Sequence, residues 1–536
     1  MAEPVPTPTP APTSRTAPDT APNSPAGHNV EDQSAAIAFL ASPATHGGAA
    51  VERIDTHGSV VVLAGDFAYK LKRAVRFPYM DFSTFERRRA MCEAELALNR
   101  RAAPEIYLGV EPIARRADGA LALGGLGQAV DWVVKMRRIP AEDFLDRRAA
   151  RGAFDDGLAL ALADRVRRLH DEAAFRPDLG GAEGIRRVIE GNERGLVEAG
   201  FARATIARLR EASDAALRRI AGLLDGRRDA RFVRRCHGDL HLGNICLWRG
   251  KPLPFDAIEF NDEIGNIDVL YDLAFLLMDL DRRGLRASAN LVLNRYLAAA
   301  DDAELAGLAA LPLFLACRAG IRAQTLAAAA AAQSVAAAAA ARRAEAEAYL
   351  ELALGYLTPA APVLVAIGGV AGTGKSTLAK ALAPGLGAAP GALHLRSDAI
   401  RKRLLGRRER DRLGPEGYQP EVTARVYAAL RGRAGAALAA GHGAIADAVH
   451  GRPEERRAIE DVARRVGARF VGLWLEAPAG TLETRVATRT GDASDATVEV
   501  LRAQLGFETG TVSWSCIDAG GRAEESLARA LAVCGA

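Results

Sequence analysis

The sequence predicts two folded units in series, an α+β unit followed by an α/β unit on a parallel sheet. Three observations predict it. Val363-Leu364-Val365-Ala366-Ile367 is a continuous apolar run that leads through glycines into a helical pattern, as does a strand buried on both faces of a parallel sheet. Upstream, Val60-Val61-Val62-Leu63 and Phe67-Ala68-Tyr69-Lys70-Leu71-Lys72 flank Gly65-Asp66, a hairpin signal of antiparallel sheet. Between them, from about Glu142 to Arg228, apolar residues recur at helical spacing. A chain of 536 residues is also too long for a single core.

Composition shifts set the expected boundaries. Residues 1–30 are Pro, Ala, Thr and Ser with hardly a large apolar side chain, so they cannot bury enough surface to offset ordering and are expected to be disordered. The first unit then runs over 31–355, a linker with Pro359 and Pro362 over 356–362, and the second unit over 363–536. Lys and Arg number 70 against 66 Asp and Glu, and a net charge of +4 over this length argues against a dedicated nucleic-acid surface. Cys92, Cys236, Cys246, Cys317, Cys516 and Cys534 are scattered without CxxC pairs and read as reduced thiols, not zinc ligands. No window has the look of a membrane span, the alanine-rich run from Leu326 to Ala341 reads as a soluble helix, and the N-terminus lacks a secretory pattern. A cytoplasmic location is therefore expected. Oligomeric state is not legible.

The chemistry of the first unit centres on His237-Gly238-Asp239-Leu240-His241-Leu242-Gly243-Asn244. Phosphoryl transfer needs a carboxylate to orient the attacking hydroxyl and oxygen ligands to hold Mg2+ on the phosphates, and Asp239 and Asn244 offer both. The order matches the protein-kinase pattern H-R-D-L-x-x-x-N with Gly in place of Arg. The segment resembles the catalytic loop of aminoglycoside phosphotransferases and related small-molecule kinases. That resemblance implies a protein-kinase-like bilobal fold, ATP and Mg2+ as cofactors, and Asp239 as base.

The same family pattern places further residues. Ala68-Tyr69-Lys70 fits a strand lysine that pairs the nucleotide phosphates, with Lys72 as the reserve, and Glu95 on the helix from Phe85 to Arg101 is the candidate to hold it. A second metal carboxylate is expected soon after the loop, and Asp256 and Glu259 both qualify. Asp272-Leu273-Ala274 resembles the family's D-L-A, whose aspartate supports the loop. Arg318 and Arg322, one turn apart on a later helix, either face the cleft or, as the favoured reading, salt-bridge locally. A glycine-rich phosphate loop is not evident; Gly58 alone precedes the strand at Val60.

In the second unit, Gly369-Val370-Ala371-Gly372-Thr373-Gly374-Lys375-Ser376-Thr377 lies between strand and helix, the context that identifies a P-loop (Walker A). Its glycines let backbone N–H groups curl around phosphates, with Lys375 reaching the β- and γ-phosphates and Ser376 placed for Mg2+. Ser397-Asp398 at the end of an apolar strand resembles the S-D-x-x-R of gluconate kinase and of the kinase half of polynucleotide kinases. The resemblance implies Asp398 near an acceptor hydroxyl and Arg401 as an acceptor or phosphate contact. Asp447 ends a further strand in a Walker-B-like, metal-facing position, and Arg485 and Arg489 fall where this kinase group offers lid arginines to the transferring phosphate.

Together the halves resemble bacterial bifunctional aminoglycoside phosphotransferase and P-loop ATP-binding proteins (AAA-type, or zeta-toxin and gluconate-kinase-like). The resemblance implies a two-site ATP-dependent phosphotransferase acting on small-molecule hydroxyl acceptors, without a nucleic-acid or membrane partner. The alternative is a P-loop kinase or ATPase whose N-terminal half senses a small molecule without catalysis.

Overall fold

The computed structural model describes residues 28–77, 79–488 and 494–535; the expected disorder of 1–27 and the lid position of Arg489 lie outside them. The first sheet contains β1 (Val51–Asp55), β2 (Ser59–Ala64), β3 (Phe67–Lys72), β4 (Tyr107–Arg115), β5 (Leu121–Leu123) and β6 (Gln128–Arg137). They lie in the order β1-β2-β3-β6-β4-β5 with antiparallel pairing throughout. The predicted hairpin is β2–β3, closed at Gly65-Asp66. β1 is an additional strand, so Gly58 sits in a β1–β2 turn and not at the start of the sheet.

Alternation along β3 divides its side chains between two surfaces. Tyr69 and Leu71 join an outer apolar cluster with Leu40, Val60 and Val62. Ala68 joins an inner cluster with Cys92, Ile106, Val134 and Met136, and Lys70 and Lys72 share its face. Helix α1 (Phe85–Asn99), capped by the Thr84 hydroxyl accepting from Arg87 N, covers that inner face. Its fully buried side chains are Arg88, Cys92, Glu95 and Asn99, at helical spacing on one stripe. The large apolar residues of this helix that periodicity would turn inward, Met91, Leu96 and Leu98, are only half-buried. A polar stripe faces inward because each member is paired: Arg88 donates to Asp131 and Glu31, and Asn99 exchanges bonds with Ala257.

The helical lobe follows with α2 (Asp156–Asp171), α3 (Gly181–Glu198), α4 (Arg203–Asp229), α5 (Val269–Arg282), α6 (Arg286–Tyr296), α7 (Leu311–Ala331) and α8 (Ala336–Tyr356). Every residue of α5 from Val269 to Leu280 is buried, as its apolar character on all sides requires. The alanine-rich helices α7 and α8 pair with each other inside this lobe, and α7 also packs on α5 and α3. Contrary to the expectation from sequence, residues 302–331 form a helix long and apolar enough to cross a membrane by length and composition; 72% of its most apolar 18-residue window is buried inside the protein.

The second sheet is parallel, with β7 (Val363–Gly368), β8 (Leu393–Arg396), β9 (Ala444–Asp447), β10 (Arg469–Glu476) and β11 (Ser515–Asp518) in the order β8-β9-β7-β10-β11. All six residues of the central strand β7 are buried. Helices α9 (Lys375–Leu382), α10 (Ser397–Leu404), α11 (Pro420–Ala439) and α12 (Ala479–Thr488) surround it. The open edge at β8 is covered by the first unit: on α6, Asn290 donates to Ala392 O (3.0 Å) and Asn294 accepts from His394 N (2.7 Å). Arg433 of α11 donates to Leu297 O (2.9 Å). The exposed backbone of an edge strand is thus satisfied by side chains of the neighbouring lobe.

Candidate active sites

The sheet and helical lobe of the first unit enclose a cleft of about 1930 Å³ whose lining includes Lys70, Lys72, Asp239, Asp256 and Glu259. Lys70 Nζ lies 2.9 Å from Glu95 Oε1 and 2.5 Å from Asp256 Oδ1. Lys72 Nζ lies 2.6 Å from Glu95 Oε2 and 2.5 Å from Glu259 Oε1. Glu95 therefore bridges both lysines with its two oxygens. Burial alone would raise the Glu95 carboxyl, but Lys70 and Lys72 hold it well below the usual carboxylate range.

This geometry separates the two candidate metal carboxylates. The Glu259 side chain is 4% exposed and closed off behind Lys72, whereas that of Asp256 is 43% exposed to the cleft. Burial raises the Glu259 carboxyl against the pull of Lys72. Asp256 is held in a left-handed conformation at φ 61°, with its N–H donating to the Tyr107 hydroxyl (3.0 Å), while the next residue is fixed by Asn99. Two lysines face three carboxylates here, so the cluster carries one uncompensated negative charge. An open carboxylate beside such a charge, with the amide of Asn244 nearby in the loop, is a hard-oxygen set of the kind Mg2+ takes.

The loop carrying Asp239 is strung from α5. Asp272 accepts from His237 N (3.1 Å), Gly238 N (2.9 Å) and His170 Nε2 (3.0 Å), and Asp279, two turns on, accepts from Leu242 N (3.0 Å). His237 Nε2 bonds Phe255 O (2.9 Å), joining the loop to the segment that bears Asp256. Asn244 Nδ2 donates to Asp239 Oδ2 (2.8 Å) and to Asp239 O (3.0 Å), which fixes both in one orientation. Burial would raise the Asp239 carboxyl, but His241 at 3.5 Å, His237 and Arg322 keep it ionised well below the usual range. Gly238 has φ 85°, and a Cβ there would stand 3.1 Å from Ile264 O. Gly238→Ala is accordingly expected to cost about 1–2 kcal/mol, read as a lower denaturation midpoint.

Of the two readings of Arg318, local ion pair or cleft-facing residue, the structure has the second: it lines the cleft, buried against this loop. Its Nη1 donates to Gly238 O (3.0 Å), its Nε to Tyr271 O (3.2 Å), and its guanidinium lies 3.9 Å over the Tyr271 ring.

In the second unit, β7 delivers the P-loop to the N-terminus of α9. Gly369 (φ 132°) and Gly372 (φ 83°) are needed both for backbone angle and for space, since added Cβ atoms would lie 2.6 Å from Leu475 O and 3.0 Å from Leu482 O. Thr373 Oγ1 and Lys375 Nζ each donate to Val370 O (2.9 Å), and Gly374 and Thr377 complete the turn and first helical residues. Ser376 Oγ donates to Asp447 Oδ2 (2.6 Å), so the two residues expected to face a metal, one at the start of α9 and one at the end of β9, are in contact. The same oxygen lies 2.9 Å from His394 Nε2, a neighbour that sequence reading did not single out.

Burial would raise Asp447, but the His394 bond and charge draw it down to about 2. Asp398, half-buried nearby, is raised by desolvation and by the Asp447 charge. Two carboxylates pushed apart in this way suit different protonation roles. Because Asp447 is depressed in the folded state, its contribution is full above its ordinary pKa of ~4 and is lost as pH falls through ~2. Asp447→Asn is therefore expected to flatten the loss of denaturation midpoint between pH 5 and pH 2.

Two expected phosphate contacts are placed otherwise. On α12, Leu482 and Val486 pack on the P-loop at Gly372, and helical phase turns Arg485 to the loop after β11, where it donates to Ala519 O (2.8 Å) and Gly521 O (3.1 Å). Arg401 is buried and donates to Gly417 O (2.8 Å) and Thr423 Oγ1 (3.1 Å).

Residues 364–508 match the family model of the AAA domain. The matched stretch includes the P-loop, Asp398, Asp447 and α12. Similarity also extends across both units: an uncharacterized protein of Mycobacterium tuberculosis is 29% identical over 496 residues, covering 89% of this chain and 94% of its own. Among solved structures, a choline/ethanolamine kinase family protein from Mesorhizobium loti covers 60% of this chain and 98% of its own, with 18% identity and a TM-score of 0.33. A gluconokinase from Sinorhizobium meliloti 1021 covers 32% of this chain and 92% of its own, with 24% identity and a TM-score of 0.24.

Proposed function

We propose that the chain is a cytoplasmic, two-site, ATP-dependent phosphotransferase in which each unit transfers a γ-phosphoryl group to a small-molecule hydroxyl. One observation carries the reading of the first unit: Asp239 lines the same cleft as the Lys70–Asp256 pair, with Lys70 also held by Glu95. Lys70 would hold the nucleotide phosphates while Asp239, oriented by Asn244, accepts the proton of the attacking hydroxyl. Mg2+, when bound by Asp256 and Asn244, would offset phosphate charge during transfer. Glu259, locked on Lys72, holds that lysine instead of binding metal.

In the AAA domain, backbone N–H groups from Gly369 to Thr377 and Lys375 would bind a second nucleotide. Ser376 and Asp447 would hold its Mg2+, and Asp398 would face the acceptor. The absence of a glycine-rich turn over the first cleft, where Thr56-His57-Gly58-Ser59 stands, favours a second reading in which the first unit senses a ligand without turnover. ADP release by a Lys375→Ala chain, with and without a bacterial small-molecule extract, separates the two. Extract-dependent release that Asp239→Asn removes supports catalysis. Wild-type activity that Lys375→Ala abolishes supports the sensor.

A further inference from the structure

We propose that the acceptor phosphorylated in the first cleft carries an oxyanion, a carboxylate or phosphate, bound by Arg318 Nη2 and Tyr271 Oη. This rests on the reading of that cleft as a kinase site. Three observations point to it.

Arg318 and Tyr271 are each 2% exposed and both line the cleft. Among the described residues, Arg318 Nη2 and Tyr271 Oη have no hydrogen-bond partner. The other donors of Arg318 are used: Nε on Tyr271 O and Nη1 on Gly238 O, the residue before Asp239. Asp272 lies 3.8 Å from Nη2, beyond hydrogen-bond length, and its oxygens already serve two backbone N–H groups and His170. A buried donor left open costs free energy unless a ligand completes it.

The guanidinium is also immobilised. It stacks 3.9 Å from the Tyr271 ring and 4.8 Å from the Phe275 ring, so its free edge is presented without further ordering cost.

Finally, the end of the cleft at Arg318 suits an oxyanion better than a cation. Asp256 faces Lys70, Glu259 faces Lys72, and Asp268 is joined to Arg227 at 2.7 Å, so each of these carboxylates is already engaged by a basic side chain. An ammonium brought to the open edge of Arg318 would meet its fixed positive charge. An oxyanion meets two open donors there, and the unpartnered Oδ1 of buried Asn266, lining the same cleft, suits a further hydroxyl of the ligand.

The test uses the full chain with Lys375→Ala, radiolabelled ATP, and a bacterial small-molecule extract divided by anion- and cation-exchange resins. Label is expected to enter the anion-retained fraction. Treating that fraction beforehand with phosphatase distinguishes the sources, since a carboxylate acceptor survives and a phosphate acceptor is lost. Tyr271→Phe keeps the stacking ring and removes only the hydroxyl. It is expected to raise KM for the active fraction about 10-fold, with kcat within about 2-fold and an unchanged melting temperature. Label entering only the cation-retained or unretained fractions, or an unchanged KM in Tyr271→Phe, would overturn the assignment while leaving the kinase reading standing. Label entering no fraction, with nucleotide still bound in an Asp256-dependent manner, would overturn the kinase reading and this proposal with it.

Discussion

Asp239→Asn is expected to lower turnover at the first site by about 10²–10⁴-fold, the range for loss of a positioned base. The substitution keeps the side-chain shape and an oxygen for the Asn244 amide, so folding and nucleotide binding should persist. Single-turnover measurement in the Lys375→Ala background isolates this effect from the second unit. Loss in kcat with an unchanged nucleotide Kd is the expected pattern. A comparable loss of nucleotide binding would mean that Asp239 holds the cofactor and does not act on the acceptor.

Asp272→Ala is expected to be the most destabilising single change, at about 3–5 kcal/mol, because it leaves buried donors and charge without their partner. The donors are His237 N, Gly238 N and His170 Nε2, with Arg318 at 3.8 Å. The denaturation midpoint should fall and His170 should lose its restraint. A much smaller loss, below about 1 kcal/mol, would show that water replaces the carboxylate and that the loop is held mainly by Asp279.

Much of this architecture was legible because local chemistry and global position agree. A P-loop requires glycine at left-handed positions and a buried strand before it, and both requirements are visible in sequence at Gly372, Gly374 and Val363–Gly368. The proximity of Asp239 and Asn244 follows from their short separation in one turn. What could not be read are pairings made across the fold. Asp256 and Glu259 differ by three positions and have similar chemistry, and only the placement of Lys72 shows which is enclosed. The inward stripe of α1 is polar, so apolar periodicity pointed to the wrong residues. Arg318 bonds a glycine carbonyl 80 positions away, a separation that no local pattern reports. For Arg485, the apolar phase of Leu482 and Val486 was the usable signal, since it turns the arginine away from the P-loop.

The claim that two separate nucleotide sites occupy one chain is tested most directly by the stoichiometry of binding of a non-hydrolysable ATP analogue with Mg2+. Calorimetry on the full chain should give two sites, falling to one in Lys375→Ala and to one in Asp256→Ala, with none in the double variant. A stoichiometry of one that Lys375→Ala abolishes and Asp256→Ala leaves untouched would contradict it.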